Sequence, residues 1–304
     1  MKMDVFAAKV CAAIEKNLGN GVRVEVKKVK KNNGILLHGL YILSEEHTVV
    51  PTIYLEQFLE DYESGTSFDE IVNGLLNIYE RNTPKRDIDM SFFRNYEAVK
   101  DRICYRLIGK QGNEFMLEKI PHMDFLDMVI CFYYAYHGEG FGDGSILIYN
   151  SHVKMWNTST EELFRLAQEN TPRLFPWECN GIKDILNAIT GTDEAGGVFI
   201  PDGETEADYP EIPMKVLSNE KKHYGAACIL YPGVLEEITA EKENLYIIPS
   251  SIHETILLPY DRNKSTEDLK RIIYEVNRTQ VAPEEVLSDS LYYYDIARKE
   301  VVMA

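Results

Sequence analysis

Basic residues are scarce in this sequence relative to acidic ones. The 304-residue chain has 32 lysines and arginines against 49 aspartates and glutamates, a formal net charge of −17 at pH 7. Such a chain is repelled by the phosphate backbone of nucleic acids and by anionic membranes. A local basic stretch at residues 23–31 lacks the broad basic face and stacking aromatics of nucleic-acid binders. We therefore predict no nucleic-acid partner.

Long apolar runs are also missing. The apolar stretch 128–136 is far shorter than the ~18 residues that a membrane span needs. Near the N-terminus, Phe6, Val10 and Ile14 recur every four residues among charged side chains, which predicts an amphipathic helix instead of a secretory signal. We predict no membrane partner.

Cysteine is sparse and irregularly spaced. The five cysteines form no CxxC pair, which argues against a zinc knuckle, a thioredoxin-type motif and a disulfide framework. Reduced thiols are typical of the cytoplasm, so we predict a cytoplasmic protein without a cofactor.

Strand and helix patterns alternate along the chain and predict an α+β fold. We expect mostly antiparallel sheets with helices packed on one face, arranged as two subdomains. An N-terminal α+β region covers residues 1–190, and a C-terminal α/β unit covers 214–304. Between them, residues 191–213 hold seven acidic residues and three prolines without Lys or Arg, which indicates a loop or linker.

Several elements can be predicted individually. Ser67 and Ser159 each precede a glutamate by three residues, the spacing of a capping box at a helix start. We also predict helices over 90–107 and 182–189, and a strand over 226–231. A helix opening at Ser265 is expected to bury one stripe of its surface. The residues of that stripe are Leu269, Ile272, Ile273 and Val276.

Four stretches together resemble a known family. They are residues 31–34 (KNNG), 51–56 (PTIYLE), 248–254 (IPSSIHE) and 286–289 (VLSD) ahead of Tyr292. Their order resembles a domain-of-unknown-function family of clostridial and other gut Firmicutes proteins, over most of the chain. The resemblance implies a bacterial, cytoplasmic protein. It implies no activity, so no catalytic residue can be carried over from it.

A glycine-rich segment at residues 137–144 invites two functional interpretations. A phosphate-binding loop needs a following helix, whereas a strand pattern follows here, so a hairpin loop is the better prediction. His137, Glu139 and Asp143 are candidate ligands for a divalent ion. We favour the loop without a metal.

A second polar group, Ser251, His253 and Glu254, contains the residue types of an activated nucleophile. Working triads are normally assembled from separate segments, and i, i+2 neighbours rarely reach the needed geometry. We therefore favour a structural role in a turn and keep a hydrolase as the alternative. A further cluster, His122, Asp124 and Asp127, is expected to mark the entrance to an apolar strand.

Tyrosines are concentrated in two predicted strands. Because alternate strand positions face opposite sides, part of each group is left for the surface or for an interface. The interface candidates are Tyr133, Tyr134, Tyr136, Tyr292, Tyr293 and Tyr294. We therefore hypothesise a non-enzymatic protein that acts by binding another protein or by self-association.

Overall fold

The computed structural model describes residues 1–19, 21–44, 47, 49–84, 90–138, 142–181, 214–239, 243–261, 263 and 265–304, with the side chains of 138, 142 and 143 left out. These residues form an α+β fold with three antiparallel sheets, as predicted. Two compact units can be distinguished. The first comprises residues 1–99 and 135–146, and the second comprises 100–134 and 147–304.

The first unit packs helices against a three-stranded sheet. Its main elements are α1 (Met3–Leu18), β1 (Val22–Lys30), β2 (Leu36–Ser44), β3 (Ile53–Tyr54), α2 (Glu56–Glu63), α3 (Phe68–Asn82) and α4 (Tyr96–Val99). The sheet order is β1-β2-β3. The turn between β1 and β2 uses Asn33 and Gly34 at φ 59° and 71°, residue types that tolerate positive φ. Phe6, Val10 and Ile14 of α1 are fully buried in the core, as their spacing predicts.

The second unit begins with a small antiparallel sheet. Its elements are β4 (Ile103–Gly109), α5 (Glu114–Leu117), β5 (His122–Phe125) and the first part of β6 (Met128–Gly138). The end of β6 and β7 (Gly142–Leu147), except its last residue, belong to the first unit. Strands β4 and β5 flank β6, and β7 also pairs with β6. The pairing of β6 with β7 confirms the predicted hairpin around the glycine-rich segment.

A six-stranded antiparallel sheet completes the second unit. Its order is β13-β12-β10-β11-β9-β8. The remaining elements are α6 (Asn150–Trp156), α7 (Thr160–Leu174), β8 (Trp177–Gly181), β9 (Lys215–Asn219), α8 (Val234–Thr239), β10 (Leu245–Ser251), β11 (Glu254–Pro259), α9 (Thr266–Thr279), β12 (Tyr292–Asp295) and β13 (Glu300–Met303). A 3₁₀ helix, Gly225–Leu230, packs against β4, β9 and β11.

The structure corrects three of the predictions. Residues 103–107 belong to strand β4, not to a helix, because Ile103, Cys104 and Tyr105 are buried in succession and the strand pairs with β6. Residues 226–230 lie in the 3₁₀ helix, not in a strand. On α9, Ile272 and Val276 are exposed because the helix contacts the sheet through Ile273 and Leu269.

Two predictions concern residues that the structure leaves undescribed. The helix over 182–189 and the linker over 191–213 lie outside the described residues. The domain boundary that depends on this linker stays a prediction. Among the described residues, no helix combines the length and apolarity that a bilayer crossing requires.

Candidate functional site

A turn after β9 positions the first part of the candidate site. The buried Asn219 accepts hydrogen bonds from the backbone N–H groups of Lys221 (3.1 Å) and His223 (3.2 Å). Its Nδ2 donates to the carbonyl oxygen of His223 at 2.8 Å. Lys222 and Tyr224 on either side of His223 have left-handed φ values of 50° and 56°. Asn219 therefore fixes a backbone conformation that non-glycine residues adopt only at a cost.

Gly225 allows this turn to approach the β10–β11 hairpin. A Cβ atom at this position would lie 2.2 Å from Ser218 Oγ and 2.5 Å from the carbonyl oxygen of His253. The Ser218 hydroxyl itself donates to that carbonyl at 2.8 Å. Only a glycine fits between these groups without displacement, and its presence brings Tyr224 next to His253.

The ring of Tyr224 is the centre of the site. The guanidinium carbon of Arg106, on β4, lies 4.5 Å from the ring centroid, within cation–π range. Tyr133 meets the ring edge-on at 5.3 Å, and His253 lies nearly parallel to it with centroids 5.8 Å apart. The ring of His223 is 3.8 Å away. A cation, two imidazoles and two phenols are thus gathered in one cluster.

Arg106 is half-buried, and within the described residues it contacts the Tyr224 ring but no carboxylate. Its Nε atom is inaccessible and forms no hydrogen bond. In the part of the chain that the structure describes, no carboxylate pairs with this guanidinium. Burial by itself lowers the pKa of Arg106. The neighbouring Cys131 thiol and the Tyr224 and Tyr133 phenols raise this pKa by more than burial lowers it, so the guanidinium keeps its charge.

His253 is held by both ring nitrogens. Its Nδ1 accepts a hydrogen bond from the backbone N–H of Tyr224 at 3.2 Å, which places the ring proton on Nε2. That Nε2 lies 3.5 Å from Glu285 Oε1. The carbonyl oxygen of Glu285 in turn accepts from the backbone N–H of Ile252 at 2.9 Å, so the two segments are joined by main chain as well. His253 is therefore positioned as a wall of the cluster.

The ring of His223 contacts two other rings, with centroid distances of 3.8 Å to Tyr224 and 5.8 Å to His253. Burial lowers its pKa to about 4, with further contributions from His253 and the Arg106 charge. The imidazole is therefore neutral at pH 7.

The predicted nucleophile group does not converge as a triad. The Ser251 hydroxyl accepts from the backbone N–H of His253 at 3.0 Å, and Glu254 accepts from the Ser250 hydroxyl at 3.3 Å. The His253 ring instead faces Tyr224 and Glu285. Ser251 and Glu254 thus shape the hairpin turn in this arrangement.

The predicted metal ligands can be followed only in part. His137 is exposed on β6, whereas Glu139 and the side chain of Asp143 lie outside the described residues. Within the described ranges, no group of three or more His, Cys, Asp or Glu side chains is arranged to hold a metal ion.

Most of the tyrosines predicted as interface candidates are buried inside the chain. Tyr133, Tyr134, Tyr292 and Tyr294 are each at most 6% exposed, which leaves them little surface for a partner. Tyr136 and Tyr293 are partly exposed. Their contribution to an interface stays a prediction.

In the predicted cluster at the start of β6, Asp127 hydrogen-bonds to a distant segment of the chain. Asp127 Oδ2 accepts from the hydroxyls of Ser288 and Ser290, both at 2.8 Å, and Oδ1 accepts from Tyr292 at 2.5 Å. Both carboxylate oxygens are satisfied, so this group joins two parts of the second unit and is not a reactive centre.

Sequence reasoning missed Arg106, His223, Tyr224 and Glu285 as site residues. Arg106 lay within a stretch assigned to a helix. The signal that points to it is a single charged residue inside the apolar strand sequence ICYRLIG at residues 103–109. Such a charge is expensive to bury unless it has a partner or a ligand.

The fold defines an α+β protein whose second unit carries, among its described residues, a cationic cluster lined by aromatic rings. The chain belongs to the DUF5688 family, a family of unknown function, whose sequence profile matches residues 3–296. No curated protein and no solved structure shows significant similarity to the chain.

Proposed function

We propose that this protein is a binding protein whose ligand carries an oxyanion group, and that Arg106 recognises this group. The observation that carries the proposal is the half-buried guanidinium without a carboxylate partner among the described residues. Holding an unpaired charge away from water costs free energy. In a chain of net charge −17, acidic partners for an arginine are plentiful, so an unpaired one indicates a position reserved for a ligand.

The arrangement favours binding over catalysis. Ring nitrogens of His253 face a backbone amide and a carboxylate, and the Ser251 hydroxyl accepts from a backbone amide. No nucleophile is thus presented to an activated base in this cluster. We propose another protein chain, including a second copy, as the source of the anionic group, and no nucleic acid.

We further propose a cytoplasmic location. All five cysteines are free thiols, and Cys104, Cys131 and Cys228 are buried. Such thiols suit a reducing compartment.

A comparison of anions tests the binding proposal. Thermal unfolding is followed in sodium acetate, phosphate, sulfate and chloride at equal ionic strength, for the wild type and for Arg106→Gln. We expect at least one oxyanion to raise the Tm of the wild type relative to chloride by more than it raises the Tm of R106Q, which retains the general stabilising effect of sulfate and phosphate. Arg271→Gln removes the same charge from an exposed position of α9 and is the matched control.

Arg106→Lys guards against loss of folding in the first variant, because it keeps the charge. The far-UV circular dichroism of each variant shows whether it is folded. An equal rise in all variants, or no rise in the wild type, contradicts the proposal.

The hydrolase remains the second candidate, because His253 lies beside Glu285 at 3.5 Å. A fluorophosphonate probe tests it. We expect no labelling at Ser250 or Ser251. Labelling that disappears in both Ser251→Ala and His253→Gln would establish the enzymatic alternative instead.

A further inference from the structure

The proposed function leaves open which oxyanion the site prefers, and three features of the cluster bear on this choice. They are the amount of positive charge, the orientation of the guanidinium and the nature of the surrounding walls. The inference that follows rests on the proposed function.

The first feature is that the cluster offers a single permanent positive charge. His223 is neutral at pH 7, and its own protonation is opposed by Arg106 and His253. The Glu285 carboxylate stands 3.5 Å from His253 Nε2 and adds a negative charge at the border of the cluster. A phosphate monoester carries a charge of about −1.5 to −2 at pH 7, whereas a carboxylate carries −1. The charge available matches a carboxylate.

The second feature is the orientation of the guanidinium, whose carbon lies 4.5 Å from the centroid of the Tyr224 ring. Its Nε atom is inaccessible, so a ligand can reach the group only through the two Nη atoms. Two N–H donors of a guanidinium match two oxygens of a carboxylate or of a phosphate, so this feature calls for an oxyanion and the charge decides which one.

The third feature is the flat, aromatic character of the walls. The rings of His223 and Tyr224 lie 3.8 Å apart between centroids, and both residues are partly exposed. Rings of this kind contact flat or apolar groups more favourably than a fully hydrated phosphate ester. The part of the ligand next to the anionic group is therefore expected to be apolar or planar.

We infer that the ligand group bound at Arg106 is a carboxylate, held by the guanidinium edge and flanked by His223 and Tyr224. Two sources share this chemistry, a free organic acid and an acidic residue of a polypeptide. Titration calorimetry with the full chain separates them. The ligands are benzoate, acetate, methyl phosphate, N-acetylglutamate amide and, as its uncharged match, N-acetylglutamine amide.

We expect the carboxylates to bind about tenfold more tightly than methyl phosphate, because the one positive charge of the cluster leaves part of the phosphate charge uncompensated. We expect R106K to lose about the same factor, because lysine lacks the planar fork. R271Q should bind like the wild type. Tightest binding of N-acetylglutamate amide, with none of the glutamine analogue, identifies a polypeptide source, and tightest binding of benzoate identifies an organic acid.

The other binding results contradict either the carboxylate inference alone or the proposed function as well. Preference for methyl phosphate, lost in R106Q, overturns the carboxylate inference but leaves the proposed function intact. Absence of binding by every anion overturns both. Binding that is unchanged in R106Q and R106K also overturns both, because the site would then lie elsewhere.

Discussion

At the scale of single residues, the site depends on two side chains that carry different charges in the same surroundings. The guanidinium of Arg106 stays charged when half-buried, whereas burial and the neighbouring Arg106 charge keep the imidazole of His223 neutral at pH 7. This difference follows from their intrinsic pKa values, since arginine is protonated far above physiological pH and histidine titrates close to it.

The first prediction concerns His223 and pH. Its pKa is about 4 in the folded chain against 6.5 for the free group, so the unfolded chain binds the extra proton first. Stability should therefore fall as pH decreases from 6.5 to 4, by about 1–2 kcal/mol once solvent screening of this partly exposed ring is allowed for. Urea unfolding between pH 4 and 7.5 measures this, and His223→Gln should flatten the dependence. The exposed His137→Gln is the control, and an unaltered slope in H223Q contradicts the prediction.

A second prediction at this scale concerns the thiols. Burial raises the pKa of Cys104 and of Cys228 to about 12, so both stay protonated and unreactive at pH 8. We expect neither to be alkylated by iodoacetamide in the native protein, while all five cysteines react in denaturant. Mass spectrometry of the labelled peptides reads this out. Rapid native labelling of Cys104 would show that β4 is not packed as described.

At the scale of elements, the sequence predicts contacts between residues a few positions apart but not contacts between distant segments. The capping box at Ser67 forms as predicted, and Ser159 accepts from the Glu162 backbone N–H at 3.2 Å, because such contacts need only residues three positions apart. Strand β4 was mistaken for a helix because a short buried apolar run has no distinguishing period. The site was missed because Arg106, His223 and Glu285 come from separate stretches, and only the packing of β4, the turn after β9 and the β10–β11 hairpin brings them together.

The close approach at Gly225 gives a prediction for the turn that carries Tyr224. Gly225→Ala places a Cβ 2.2 Å from Ser218 Oγ and should cost about 1–3 kcal/mol by forcing the turn away from the β10–β11 hairpin. Gly74→Ala is the matched control on α3. Its new Cβ meets Phe58 at an ordinary 3.6 Å, so it should stabilise the helix by about 0.5–1 kcal/mol.

Denaturant unfolding of G225A, G74A and the wild type measures the free energy of unfolding of each protein. Equal stability of G225A and the wild type would be incompatible with the close approach. In G225A we also expect weaker anion binding, because Tyr224 leaves Arg106.

The hydrogen bonds of Asp127 give a prediction about the stability of the contact between the start of β6 and the segment around the start of β12. In Asp127→Asn, one of the two acceptor oxygens becomes an N–H donor that faces hydroxyl donors, so the network of Ser288, Ser290 and Tyr292 loses an acceptor. We expect a loss of about 1–3 kcal/mol in the free energy of unfolding. Asp124→Asn, at an exposed pair with Lys110, should cost less than about 1 kcal/mol. Similar losses in the two variants contradict a structural role for Asp127.

At the scale of the whole molecule, charge restricts the partners. A net charge of −17 repels polyanions in general, although we propose that Arg106 binds a small anionic group. We therefore expect no binding of a fluorescent single-stranded oligonucleotide in an anisotropy titration at 50 or 150 mM salt. Salt-dependent binding at micromolar concentration would contradict this expectation, and R271Q, which is more acidic, provides the comparison.

The position of Arg106 on β4 also has a consequence for how the chain folds. Shifting β4 by one residue against β6 would exchange the two faces of the strand and drive the guanidinium into the apolar layer now occupied by the buried Tyr105 and Leu107. In such a mispaired arrangement the guanidinium would lose its contact with Tyr224 and lie in an apolar layer, at a higher solvation cost than in the native alignment. We therefore expect the residue that we assign to ligand recognition also to disfavour misaligned β4–β6 pairing during folding.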